Sequence, residues 1–183
     1  MKKLLSVSLA LCLTLTLFAA CGNSKVETTP PAETAAPGFA GTMAELLDKI
    51  VAARPVEFSG ETLIIDLGDT SEEGLWSLQS HTGLETGESL ADAAFFEPMM
   101  GSIAYSMVAV RVKPGEDAKT VAQAMVEGIN PRKWVCVEAN DIRCATAGDV
   151  ALFVMLDDQL GLTAQSFLDA FAQVTQTQPE TIK

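Results

Sequence analysis

The residues able to do chemistry are few, and their spacing excludes most of it. His81 is the only histidine, so a metal site built on two imidazoles is ruled out, as is any triad that does not use His81 itself. It stands in Gln79-Ser80-His81-Thr82-Gly83, where a solvated loop residue is the ordinary reading and a base for a neighbouring serine the reactive one. Cys136 and Cys144 flank Asn140-Asp141, a turn between two expected strands. A three-residue turn centred on Asn140 sets the two thiols opposite each other for a disulfide, whereas a two-residue turn puts them on opposite faces; the alternative to the disulfide is two buried free thiols. The absence of a Cys-x-x-Cys spacing argues against a redox centre. Asp157-Asp158, with Asp141 and Asp149 at nearby turns, offers oxygens to a hard cation but matches no calcium loop, and reads as a solvated turn rim. Among the methionines, Met125 and Met155 fall on expected core faces. Met99 and Met100, beside Phe95 and Phe96, form the candidate partner patch. Arg132-Lys133-Trp134 reads as an edge-strand gatekeeper with a packed indole. With no nucleotide loop, ligand cluster or nucleophile–base pair, the expectation is a protein that is not an enzyme and that carries no metal and no cofactor.

The chain has 183 residues, 12 Lys and Arg against 24 Asp and Glu, and a formal net charge of −12. A nucleic-acid binder needs clustered cations to neutralise phosphates, so that class is excluded. With 48% apolar and 20% charged residues, the composition is that of one folded domain of ordinary size and not of a disordered chain.

Residues 1–20 form a secretory signal, with Lys2 and Lys3 ahead of an apolar run from Leu4 to Phe18. That run is shorter than the roughly 20 apolar residues of a permanent membrane span. The segment Leu17-Phe18-Ala19-Ala20-Cys21 resembles the lipobox of bacterial lipoproteins. The resemblance implies a diacylglycerol on the Cys21 thiol, cleavage after Ala20, and acyl chains of the palmitate kind as the anchor. Two or more such chains hold a protein stably, because each buried methylene contributes about 0.8 kcal/mol. Cleavage discards two cations and leaves ten against 24 carboxylates, so anionic headgroups repel the body and the lipid alone holds it. Residues 21–41 follow as a lipidated Cys and a disordered Pro/Thr/Ala linker, able to hold the domain up to about 60 Å from the bilayer when extended. The expected location is the extracytoplasmic side of a cell membrane.

The single domain is placed at residues 42–178, with 179–183 as a tail. Thr42 and Glu45 form a capping box for a helix whose Met43, Leu46, Leu47, Ile50 and Val51 share one face, and Pro55 stops it. Thr62 to Leu67 fits a short strand, Ser71 to Leu78 a helical turn, and 79–90 a polar connection. Ile103 to Val112 alternates as a strand and closes at Lys113-Pro114-Gly115. Asp117 to Ile129 is helical. Lys133 to Ala139 and Ile142 to Ala145 are expected strands, and Val150 to Leu156, seven unbroken apolar residues, suits a strand covered on both faces. Leu162 and Phe167 staple a last helix beginning at Thr163. The order strand, helix, strand, strand, strand, helix specifies an α+β domain, a mostly antiparallel sheet packed with amphipathic helices, with Val150 to Leu156 at its centre.

Three stretches carry a family resemblance: Glu97-Pro-Met-Met-Gly-Ser-Ile-Ala-Tyr-Ser-Met-Val-Ala-Val-Arg-Val, Ile129-Asn-Pro-Arg-Lys-Trp-Val-Cys-Val and Gly148-Asp-Val-Ala-Leu-Phe-Val-Met. Together they resemble the Gram-positive lipoproteins grouped as domain-of-unknown-function family 4358, over residues 42–175. The resemblance implies an extracytoplasmic lipoprotein domain and lends no catalytic residues. The expected function is therefore a lipid-anchored, non-catalytic surface domain that meets an envelope protein partner. The alternative is a solute- or cation-binding lipoprotein associated with a transporter.

Overall fold

Val150 to Leu156 is buried at all seven positions, and the architecture follows from covering it. The computed structural model describes residues 38–182; the signal segment, Cys21 and linker residues 22–37 lie outside them. In chain order the elements are α1 (Met43–Ala53), β1 (Gly60–Ile64), α2 (Glu72–Thr82), β2 (Leu90–Pro98), β3 (Tyr105–Val112), α3 (Ala118–Gly128), β4 (Asp141–Ala147), β5 (Val150–Leu156), a 3₁₀ turn (Asp158–Leu160), α4 (Ala164–Thr175) and β6 (Glu180–Ile182). The six strands form one antiparallel sheet in the order β1-β2-β3-β5-β4-β6. The fold is α+β, with β5 between β3 and β4 as its continuous apolar run requires.

Alternation along the strands divides the core in two. Leu152, Val154 and Leu156 face α1 and α4 together with Met107, Leu46, Phe167 and Phe171. Ala151, Phe153 and Met155 face α3 with Val108, Val110, Val121 and Met125. The helix starts are those read from the sequence. Glu45 N–H donates to Thr42 Oγ1 at 3.2 Å, and Thr42 N–H donates to Glu45 Oε2 at 2.9 Å. Thr163 accepts from Ser166 N–H. No helix among the described residues is long and apolar enough to cross a membrane.

Four segments differ from expectation. Lys133 to Ala139 is a loop: β5 pairs one edge of β4 along its whole length, β6 pairs the second edge at Cys144 to Thr146, and 133–139 joins neither ladder. Glu180–Ile182, assigned to the tail, supplies that second edge. Residues 90–98 form β2, whose Ala-rich run hides its burial between β1 and β3. Linker residues 38–41 lie on the domain: Gly38 N–H donates to Asp149 Oδ1 at 2.7 Å and Arg111 donates to the Phe39 and Gly41 carbonyls.

Helix α2 runs to Thr82 and ends on Gly83 in the left-handed region, φ 76°. There the C-termini of α2 and α3 meet through glycine: a Cβ on Gly128 would lie 2.1 Å from the Gly83 carbonyl oxygen. Gly128→Ala should therefore destabilise by about 1–3 kcal/mol, overpacking outweighing the helix propensity alanine brings. Gly101, with open space around it, should accept alanine with little change. Urea unfolding of the two variants side by side measures the difference.

Candidate functional site

The strand registers give the sheet two ends. Gly60, Pro98, Tyr105, Leu156 and Asp141 lie at one end; Ile64, Leu90, Val112, Val150 and Ala147 lie at the other. The described chain enters at the second end, where Arg111 and Asp149 pair at 3.2 Å and hold Gly38 to Gly41. The first end, opposite the entry, gathers the polar and apolar features that could meet another molecule.

One of them is a charged cluster on the α3 side of the sheet. Glu97 in β2 accepts from Ser106 Oγ of β3 at 2.6 Å and from the Lys133 ammonium. The ammonium also reaches Ser106 Oγ and the Ser80 carbonyl, each at 3.3 Å. Side-chain exposure is only 11% for Lys133 and 19% for Glu97, so this is a desolvated pair. Burial holds the Lys133 ammonium below its ordinary pKa against the opposing pull of Glu97. His81 Nε2 is 3.8 Å from Glu97 Oε2, and its ring stacks on Phe95 at 3.7 Å. Its Nδ1 lies 2.7 Å from the Ser77 carbonyl, which places the proton on Nδ1. Burial, then the Lys133 charge, push the imidazole below its ordinary value, and Glu97 and the Ser77 carbonyl offset only part of that.

His81 is thus not a solvated loop residue; it sits on the last turn of α2, over the sheet. Ser80 Oγ is 3.3 Å from Nδ1, but Nδ1 is spent on Ser77, and Ser80 itself donates to the same carbonyl at 3.1 Å. Ser106 is wholly buried with its hydroxyl directed at Glu97. What this arrangement does is fasten the loop between α3 and β4 onto the sheet. Lys133 is accordingly a buried ion-pair partner and not an edge gatekeeper, and Trp134 packs partly buried beside it.

The candidate patch divides. Phe95 lies beneath His81, and Phe96 is buried among Phe58 and Tyr105, since β2 is covered on both faces. Met99 and Met100, in the β2–β3 connection, are 72% and 62% exposed. Val135 and Leu160 are also exposed, in the loop leading into β4 and just after β5. Met107, Met125 and Met155 are core residues.

The thiols are apart. Cys136 is exposed in the loop and Cys144 is buried in β4, both free; without a 133–139 strand there is no hairpin to set them face to face. Burial pushes the Cys144 thiol up to about 12, leaving it unreactive. The turn carboxylates serve structure. Asp141 accepts from Ala164 N–H at 2.8 Å, Asp149 pairs with Arg111, and Asn140 bridges to Asp158 at 2.9 Å. Among the described residues no three His, Cys, Asp or Glu side chains gather as a metal site would need.

A cleft also opens at this end, on the α1 and α4 side, with a volume of about 640 Å³. The segment Arg54–Phe58, Ile103 and residues 160–162 line it. Sequence reasoning missed it because its walls come from three connections distant in the chain.

Two measurements test the cluster. Lys133→Met strands the Glu97 carboxylate and should cost about 3–5 kcal/mol; adding Glu97→Gln should recover more than half of the loss, a non-additivity read by urea unfolding. For His81, the depressed folded pKa means that the unfolded chain binds more protons below about 6.5, so stability is full above that pH and is lost on acidification. Between pH 7.5 and 5.5 the parent should lose more stability than His81→Phe, which keeps the stack on Phe95.

No family model, curated protein or solved structure matches this chain, so its own residues carry the functional argument.

Proposed function

We propose that the chain is a lipid-anchored extracytoplasmic protein, held at a cell membrane through lipid on Cys21, whose domain is a non-catalytic binding module for an envelope protein. The observation that carries this reading is the exposure of Met99 and Met100 at the sheet end opposite the entry of the chain. Methionine is flexible and polarisable, and two adjacent exposed copies suit an adaptable protein contact. A lipid on Cys21 and an exposed contact surface on the domain suit a protein held at a membrane to meet something beyond it. The resemblance to the lipoproteins of family 4358 supports the same location.

The second reading is a solute-binding lipoprotein associated with a transporter. The cleft beside Arg54 favours it, being within the roughly 300–1,000 Å³ of small-molecule sites.

Cys21→Ala should shift the protein from the membrane fraction to the soluble extracytoplasmic fraction. Met99→Ser with Met100→Ser should leave the melting temperature within about 2 °C, as exposed substitutions do, while abolishing a fixed-ratio partner seen by native mass spectrometry after detergent extraction. If a fixed-ratio partner survives the double substitution, Met99 and Met100 are not the contact.

A further inference from the structure

The cleft at the free end of the sheet has a defined chemistry. Helix α1 ends at Arg54, whose N–H closes on the Ile50 carbonyl at 2.8 Å, and Pro55 turns the chain across the start of α4. Phe58, Ile103 and Leu162 form the apolar wall, with Phe58 packed edge-on to Tyr105 at 5.1 Å. The Arg54 guanidinium lies over the Phe167 ring, 5.6 Å from its centroid. Its Nε donates to Ser166 Oγ at 3.2 Å and one Nη to the Pro55 carbonyl at 2.8 Å. A guanidinium has five N–H donors, so three are unspent. Glu57 lines the same cleft and is exposed. Among the described residues neither Arg54 nor Glu57 takes part in an ion pair, with each other or with any other group.

We propose that this cleft binds a short apolar peptide of two or three residues, its carboxylate on Arg54 and its ammonium toward Glu57. An apolar wall with one unpaired cation and one unpaired anion matches a zwitterion carrying apolar side chains. A simple anion meets Glu57 and a chain of net charge −12; a simple cation meets Arg54. The Phe167 ring, Ser166 and the Pro55 carbonyl hold the guanidinium in place, so its unspent N–H groups meet a carboxylate at low ordering cost. This deepens the solute-binding reading and rests on it; it is independent of the contact at Met99 and Met100.

Isothermal titration of the full protein in detergent with trileucine, N-acetyl-trileucine, trileucine amide and octanoate tests it. Trileucine should bind saturably, and blocking either terminus should weaken binding about tenfold, the size of one lost charge-assisted contact. Arg54→Gln should no longer distinguish trileucine from its amide, and Glu57→Gln, an exposed and structurally mild change, should no longer distinguish it from the acetylated form. Octanoate or either blocked peptide binding as tightly as trileucine overturns the zwitterion assignment and leaves solute binding standing. No binding by any of the four up to about 10 mM, a free energy below about 3 kcal/mol, overturns both.

Discussion

The two central strands, β3 and β5, are covered on both faces, and the rest of the domain answers to that constraint. Antiparallel sheets often leave one face to water. Here Tyr105–Val112 is buried at every position except Arg111, and Val150–Leu156 at every position, so each face must find its own helices. α1 and α4 cover one and α3 the other, which is why three of the four helices have four or more buried residues while α2 has two. Arg111 is the exception because it stands at the entry end, where its guanidinium holds Asp149 and the carbonyls of the incoming chain.

The weakness of α2 explains the charged cluster. A helix burying only Leu78 and Thr82 cannot close the sheet near Pro98, and the gap is filled by the loop between α3 and β4. That loop joins no ladder of the sheet. Its attachment is the Lys133–Glu97–Ser106 contact, with the Arg132–Glu138 pair at 2.6 Å closing the loop on itself at the surface. A buried ion pair adds little net stability over an apolar substitute, but it penalises any loop position that leaves a charge stranded. It therefore fixes where Trp134 and the exposed Val135 lie.

How much of this could be read beforehand depends on whether the signal is local. Capping at Thr42 and Thr163, the turn at Lys113-Pro114-Gly115 and the apolar run of β5 are local, and the elements they mark are where the sequence placed them. Strand β2 has small alanines in place of a β-branched run, and β6 is three residues long, so only their neighbours reveal them. The alternation of Lys133 to Ala139 matches a strand, but a strand also needs a partner ladder, and which segments pair is a property of the whole sheet. For His81 a signal was present: Gly83 as a left-handed cap extends α2 to Thr82 and puts His81 one turn after Ser77. Its meeting with Glu97, and that of Glu97 with Lys133, depend on register across separate elements. The Phe95–Phe96 patch required an exposed strand where the sheet has a covered one, and the facing thiols required a strand at 133–139 where there is a loop.

The clamp at the entry end joins the incoming chain to the middle of the sheet. Gly38 packs so closely that a Cβ would lie 1.7 Å from the Ala147 carbonyl oxygen; its N–H donates to Asp149, just before β5, and Arg111 of β3 holds the Phe39 and Gly41 carbonyls. The start of the described chain is thus fastened not to the edges β1 and β6 but to the central strands. Those strands are the ones whose backbone ladders are paired on both sides and whose side chains are buried on both faces, so opening them costs more than peeling an edge. The features at the far end, Met99 and Met100 on the β2–β3 connection and the cleft between Arg54 and Leu162, hang from the same strands at their opposite termini. An attachment placed on β1 would instead load the strand whose Leu63 and Ile64 are exposed, and would disturb Gly60 and Pro98 beside Met99. Fastening the chain at Arg111 and Asp149 leaves the opposite end of the sheet free of it.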